Sequence, residues 1–135
     1  MLKSKEMLAP AKELTLMMEA GYVYRYAGKF REAREIFQGV RAMLTKTDAV
    51  EIALAGVALD EKKLDEAEAH CRRALEVNPG SPAAYNQLAE VLLLQNDNAG
   101  AQKSLKRSIE LSPNGPSAAL AKALMKAAAM LARKS

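Results

Sequence analysis

The chain has 135 residues, half of them apolar and 27% charged, with a formal net charge of +4. That length and balance describe one folded domain with a sizeable core and exclude an intrinsically disordered segment. The longest uncharged apolar run, Ile52 to Leu59, is 8 residues, against the ~20 a membrane helix needs.

The first residues, Met1-Leu-Lys-Ser-Lys-Glu-Met-Leu, place charge where a secretory signal requires an unbroken apolar stretch. Action in the cytoplasm is therefore expected. Within this segment Leu2, Met7 and Leu8 suit a short helix that packs on the first hairpin of the chain or on a second subunit. A helix is then expected over 11–27, ended by Gly28-Lys29, and another over 30–44. Asp48, with Glu51 three residues on, is expected to cap the start of a helix over 48–61. A partner helix covers 64–77 and stops at Asn78-Pro79-Gly80. Ser81-Pro82 reads as an N-cap with proline at the first helical position, where its missing N–H costs nothing. The helix it opens, 82–95, meets the turn Asn96-Asp97-Asn98, and a further helix covers 98–111. From Pro116 to 133, Leu120, Leu124, Ala127 and Leu131 make one apolar stripe, with Lys122, Lys126 and Arg133 off it. Such a helix suits covering the last hairpin and turning a polar side to water.

The prolines reveal a repeat. Pro79 and Pro113 are 34 residues apart, as are Pro82 and Pro116. Around them Arg73-Ala-Leu-Glu-Val-Asn-Pro79 aligns with Arg107-Ser-Ile-Glu-Leu-Ser-Pro113. A fixed period of this length signals stacked helical hairpins. The frame gives repeats at 14–47, 48–81 and 82–115, preceded by 1–13 (an arm or the start of the first helix) and followed by a capping helix over 116–135. In the first repeat small and bulky residues alternate as Gly21, Tyr24, Gly28, Phe30, Ala33 and Phe37. The second keeps Leu54, Leu64, Ala67, Ala74 and Pro79, with Cys71 in the aromatic slot; the third keeps Tyr85, Leu88, Ala101, Leu105 and Pro113. This pattern resembles the tetratricopeptide repeat family over 14–115. The resemblance implies an all-α fold of three tandem hairpins in a right-handed superhelix plus a C-terminal capping helix.

Chemistry-bearing residues are few. The only cysteine, Cys71, excludes an intrachain disulfide and reads as an inert buried thiol. The only histidine, His70, reads as a solvated residue on the convex side, and the two together leave little for zinc. No metal, no other cofactor and no catalytic activity are expected. Residues 101–135 carry seven basic side chains against Glu110, but no aromatic residue lies among them to stack a base. Nucleic acid and membrane are not expected partners.

In a tetratricopeptide array the first helix of each repeat lines a concave groove. The matching positions are Thr15, Met18, Tyr22 and Arg25; then Ala49, Ile52, Gly56 and Leu59; then Ala83, Asn86, Glu90 and Leu93. Most are apolar or small, a composition that marks a binding surface for another polypeptide. Tyr26 and Asp60 fall at its edge. One branch of the family grips the acidic tails of heat-shock chaperones through a two-carboxylate clamp of lysine, asparagine and arginine. The corresponding slots hold Met18, Tyr22, Ala53, Ala83 and Gln87, so that clamp is missing. The stretch Ala27-Gly-Lys-Phe-Arg-Glu-Ala-Arg-Glu-Ile-Phe-Gln38 is similar to the small three-repeat chaperones of bacterial type III secretion, which shield an extended, partly apolar client segment. The expected function is thus a non-enzymatic module binding an apolar segment of a protein client, with a scaffold subunit or homodimer built on the repeat faces as the alternative.

Overall fold

The computed structural model describes residues 3–44 and 46–134, and side chains over 11–44 and 46–133. The expected packing of Leu2, Met7 and Leu8 lies outside the described residues. Among those described there are seven helices and no strand: α1 Lys3–Tyr26, α2 Phe30–Met43, α3 Asp48–Asp60, α4 Leu64–Val77, α5 Pro82–Leu94, α6 Asn98–Leu111 and α7 Pro116–Lys134. Helix ends match the local signals within a residue or two, except at the start. There α1 runs back to Lys3 instead of beginning near residue 11. Among the described residues no helix is long and apolar enough to cross a membrane.

The chain divides into two compact bodies, Met1–Lys46 and Thr47–Ser135. In the first, α1 and α2 form a hairpin. Ala33, Phe37 and Val40 recur at helical spacing along α2 and are fully buried; burying a side chain such as Phe37 contributes about 1.5–3 kcal/mol. The ring has room because its opposite number is Gly21, where a Cβ would overlap the Phe37 ring edge.

In the second body α3–α4 and α5–α6 form two hairpins and α7 comes last. Its core joins Ala55, Ala58 and Leu59 of α3 to Ala67 and Cys71 of α4, Leu88 and Leu92 of α5, Ala101 and Leu105 of α6, and Ala121 of α7. Ala67 and Ala101 are completely buried, which fits small residues at close helix crossings.

All three hairpin turns share one geometry. Gly28, Lys62 and Asn96, 34 residues apart, take positive φ of 78°, 65° and 65°. The next residue's N–H then reaches back five positions: Lys29 to the Tyr24 carbonyl, Lys63 to Ala58 and Asp97 to Leu92, each at 2.8 Å. This is the Schellman termination, in which a left-handed residue lets the last carbonyls of a helix find donors. The succeeding helix starts differ. Asp97 accepts the Gly100 N–H at 2.9 Å, whereas Lys29 and Lys63 offer no side-chain cap.

Two expectations are corrected. The N-cap of α3 is Thr47, whose Oγ1 accepts the Ala49 N–H at 3.3 Å, and Asp48 is the first residue inside the helix. On α7 the packed face is Ala118, Ala121 and Ala128, with Leu124 and Met125 half-buried, while Leu120, Ala127 and Leu131 are exposed. Close approach of α7 to α5 and α6 selects alanine over leucine, and the bulky residues lie about 100° around the helix. The Ser81 cap is as expected: its Oγ accepts the Ala84 N–H at 3.2 Å.

Candidate functional site

In the first body the candidate residues lie on α1. Thr15 is exposed and its hydroxyl donates to the Ala11 carbonyl at 3.0 Å, so it serves its own helix. Met18, Tyr22 and Arg25 are half-buried. Tyr22 anchors an aromatic group, meeting the Phe37 ring edge-on with centroids 5.2 Å apart and stacking on Tyr26 at 6.3 Å. Edge-to-face and offset stacks of this kind are favourable. Arg25 lies over the Tyr26 ring, 5.9 Å from its centroid. Burial pushes the Tyr22 phenol above its ordinary value; the Arg25 charge partly offsets this and Tyr26 adds to the rise.

Sequence reasoning missed two neighbours on the same helix. Leu16 is 63% and Val23 66% exposed, seven residues apart, and Tyr26 is 79% exposed. The signal was present: an apolar pair at i, i+7 that the α2-facing side of α1, with Leu14 and Gly21, does not require.

In the second body Ile52 on α3 and Glu90 and Leu93 on α5 are half-buried, while Ala49 and Ala83 are exposed. Leu93 packs against the core, and Leu59 belongs to it. The structure therefore brings Ile52, Glu90 and Leu93 to the accessible surface and withdraws Leu59. Asn86 is withdrawn too. It is only 3% exposed, and its Nδ2 donates to the Ser117 carbonyl at 2.8 Å, tying α5 to the first turn of α7. Its amide is committed to holding the terminal helix, a role visible only once the helices are packed.

Neither candidate for side-chain chemistry is set up to react. Cys71 is fully buried, and burial, reinforced by the Glu90 charge, pushes its thiol up to about 12. His70 is not the solvated residue expected. Its Nδ1 lies 2.9 Å from Glu51 Oε1, and the two side chains are 16% and 8% exposed, so it links α4 to α3. Glu51 was read as part of a helix cap; packing uses it one layer deeper.

Two tetratricopeptide repeat models match the sequence, over residues 58–125 and 18–82. The chain belongs to the tetratricopeptide repeat family. No curated protein matches this tetratricopeptide chain in sequence. Among solved structures it is similar to the first tetratricopeptide domain of human RPAP3, at 23% identity over 90% of this chain and 94% of that one, with a TM-score of 0.78. It is similar to PcrH from Pseudomonas aeruginosa at 20% identity over 87% and 92%, TM-score 0.77. A third is the type III secretion chaperone SycD of Yersinia enterocolitica in complex with a peptide of the translocator YopD, at 18% identity over 92% and 96%, TM-score 0.76. At these identities the likeness is one of fold.

Proposed function

We propose that this tetratricopeptide protein is a non-enzymatic binding module that holds an apolar segment of a protein client against the faces of its first helices. One observation carries the reading: within the second body the first helix of a pair is the less charged, α5 holding Glu90 alone where α6 holds Lys103, Lys106, Arg107 and Glu110. Met18, Tyr22, Ile52 and Leu93, on α1, α3 and α5, remain partly open although they are apolar. The outward sides of α2, α4 and α6 are charged, as at Arg31, Glu35, Asp65, Glu66, Arg73 and Lys106. Partly open apolar side chains among polar neighbours are the usual anchors of a polypeptide partner. The client's apolar residues gain burial there, while Arg25 and Glu90 fix its register by polar contact. An acidic chaperone tail is not the client, since Met18, Tyr22, Ala53, Ala83 and Gln87 offer no clamp for carboxylates.

The same surface suits shielding an aggregation-prone client in the cytoplasm, the role of a secretion-system chaperone. The likeness to the type III secretion chaperone SycD, in complex with a translocator peptide, supports this finer reading. Affinity purification with mass spectrometry identifies the client. Capture should then weaken in Ile52→Asp and in Tyr22→Ala while far-ultraviolet circular dichroism stays helical; undiminished capture by both variants contradicts the assignment.

A second reading is favoured by Leu16, Val23 and Tyr26, whose exposure on α1 suits a permanent contact with another copy of the chain. Light scattering separates the two. A dimer that persists on dilution and dissociates in Leu16→Glu supports the second reading, and a monomer rules it out.

A further inference from the structure

Away from the first-helix faces, α4, α5 and α6 border an open cavity of about 600 Å³. It lies wholly within the second body and opens on the charged side of the hairpins. That volume falls in the range of small-molecule sites, which are apolar below with a few convergent polar groups. The floor is apolar: Leu75, Tyr85, Leu88 and Leu92 line it. The mouth is basic, with Arg72 from α4 and Lys103, Lys106 and Arg107 from α6.

The charges are unevenly answered. Arg72 pairs with Glu68 at 2.8 Å and Arg107 with Glu110 at 3.4 Å. Asp97, also at the mouth, spends a carboxylate oxygen on the Gly100 N–H. Lys103 and Lys106 make no ion pair among the described residues, and Glu110, one turn beyond Lys106, is taken up by Arg107. They sit one turn apart, and Arg107 is four residues beyond Lys103, so three cations against one carboxylate, Glu110, share this side of α6. Two hydroxyls in the lining, Tyr85 and Ser104, make no hydrogen bond among the described residues. An apolar floor, four cations against the two carboxylates of Asp97 and Glu110, and two hydroxyl donors without partners suit a ligand with a greasy body and one anionic end.

We propose that the cavity between α4, α5 and α6 binds a small organic anion, a carboxylate or sulfonate carried on an apolar ring or branched chain. The apolar body lies over Leu88 and Leu92, the anion faces Lys103 and Lys106, and the Tyr85 and Ser104 hydroxyls orient it. This goes beyond the binding of a polypeptide client, and its test uses no client, so either idea can fail alone.

The test is an amide NMR titration of the full chain with phenylbutyrate, its uncharged counterpart phenylbutyramide, and sodium sulfate. Phenylbutyrate should give saturable shifts centred on Leu92, Gly100 and Ser104, with a Kd on the order of 1 mM for a ligand of this size. Phenylbutyramide and sulfate should each bind at least about fivefold more weakly, the first lacking the charge and the second the apolar body. Lys103→Glu with Lys106→Glu, both on the exposed side of α6, should weaken phenylbutyrate about tenfold with an otherwise unchanged spectrum. Absence of saturable shifts at those amides, equal affinity for the acid and either control, or wild-type affinity in the double variant would overturn the proposal. So would shifts centred on α1 or α3.

Discussion

Equivalent residues in the three hairpin turns face the same geometric demand with different chemistry, which makes the turns an internal experiment. The residue before α2, Lys29, has φ −93° and ψ 74°, and its counterpart before α6, Asp97, has φ −93° and ψ 76°. Only Asp97 uses its side chain, accepting the N–H three residues on. Lys29→Asp should supply the missing cap, with Glu32 already in the first turn to complete a capping box. The expected gain is about 0.5–1.5 kcal/mol, seen as a melting temperature higher by a few degrees; no rise would mean the α2 start is satisfied otherwise. Cys71 gives a second residue-level prediction. Its folded thiol sits at about 12 against an ordinary 9.0. The buried neutral form therefore contributes fully below pH 9, and this contribution falls as pH rises from 9 through 12. Denaturant unfolding should show that alkaline loss in the wild type and a shallower one in Cys71→Ala. In native protein at pH 8, iodoacetamide should react no faster than the chain unfolds.

At the scale of elements, the helix pairs are matched by size. Gly21 faces Phe37, and the same two repeat positions hold Ala55 with Cys71 and Ala89 with Leu105, all completely buried in the second and third repeats. In each pair the larger residue is on the second helix, and the largest, Phe37, stands against glycine. Gly21→Ala should therefore overpack the α1–α2 crossing by about 1–3 kcal/mol, and Phe37→Leu in the same chain should recover part of it. Independent, additive losses in the double variant would contradict direct contact. These elements were legible in the sequence because caps, prolines and turn residues act locally and recur every 34 positions. What could not be read is what packing decides. Leu120 and Leu131 look like the face of α7, yet alanines win where helices approach closely. Asn86 and His70 look like surface residues, yet Ser117 and Glu51 meet them across helix boundaries that no local pattern reports. The repeat frame located the proposed binding faces of α1, α3 and α5, but could not show that Leu59 sinks into the core or that Leu16 and Val23 stay out.

For the whole molecule, the proposed binding mode requires that first helices meet the client and second helices do not. In the second body the lower charge of α3 and α5 beside α4 and α6 supports that direction, and the ligand proposed for the cavity between α4, α5 and α6 is a different, smaller molecule. The most direct measurement places a benzophenone photocrosslinking residue at position 52, on α3, and in a second protein at position 69, on the exposed side of α4. Irradiation in the presence of the identified client should yield a covalent adduct from position 52 and none from position 69. An adduct from position 69 alone, or equal adducts from both, would contradict the claim that the first helices hold the client.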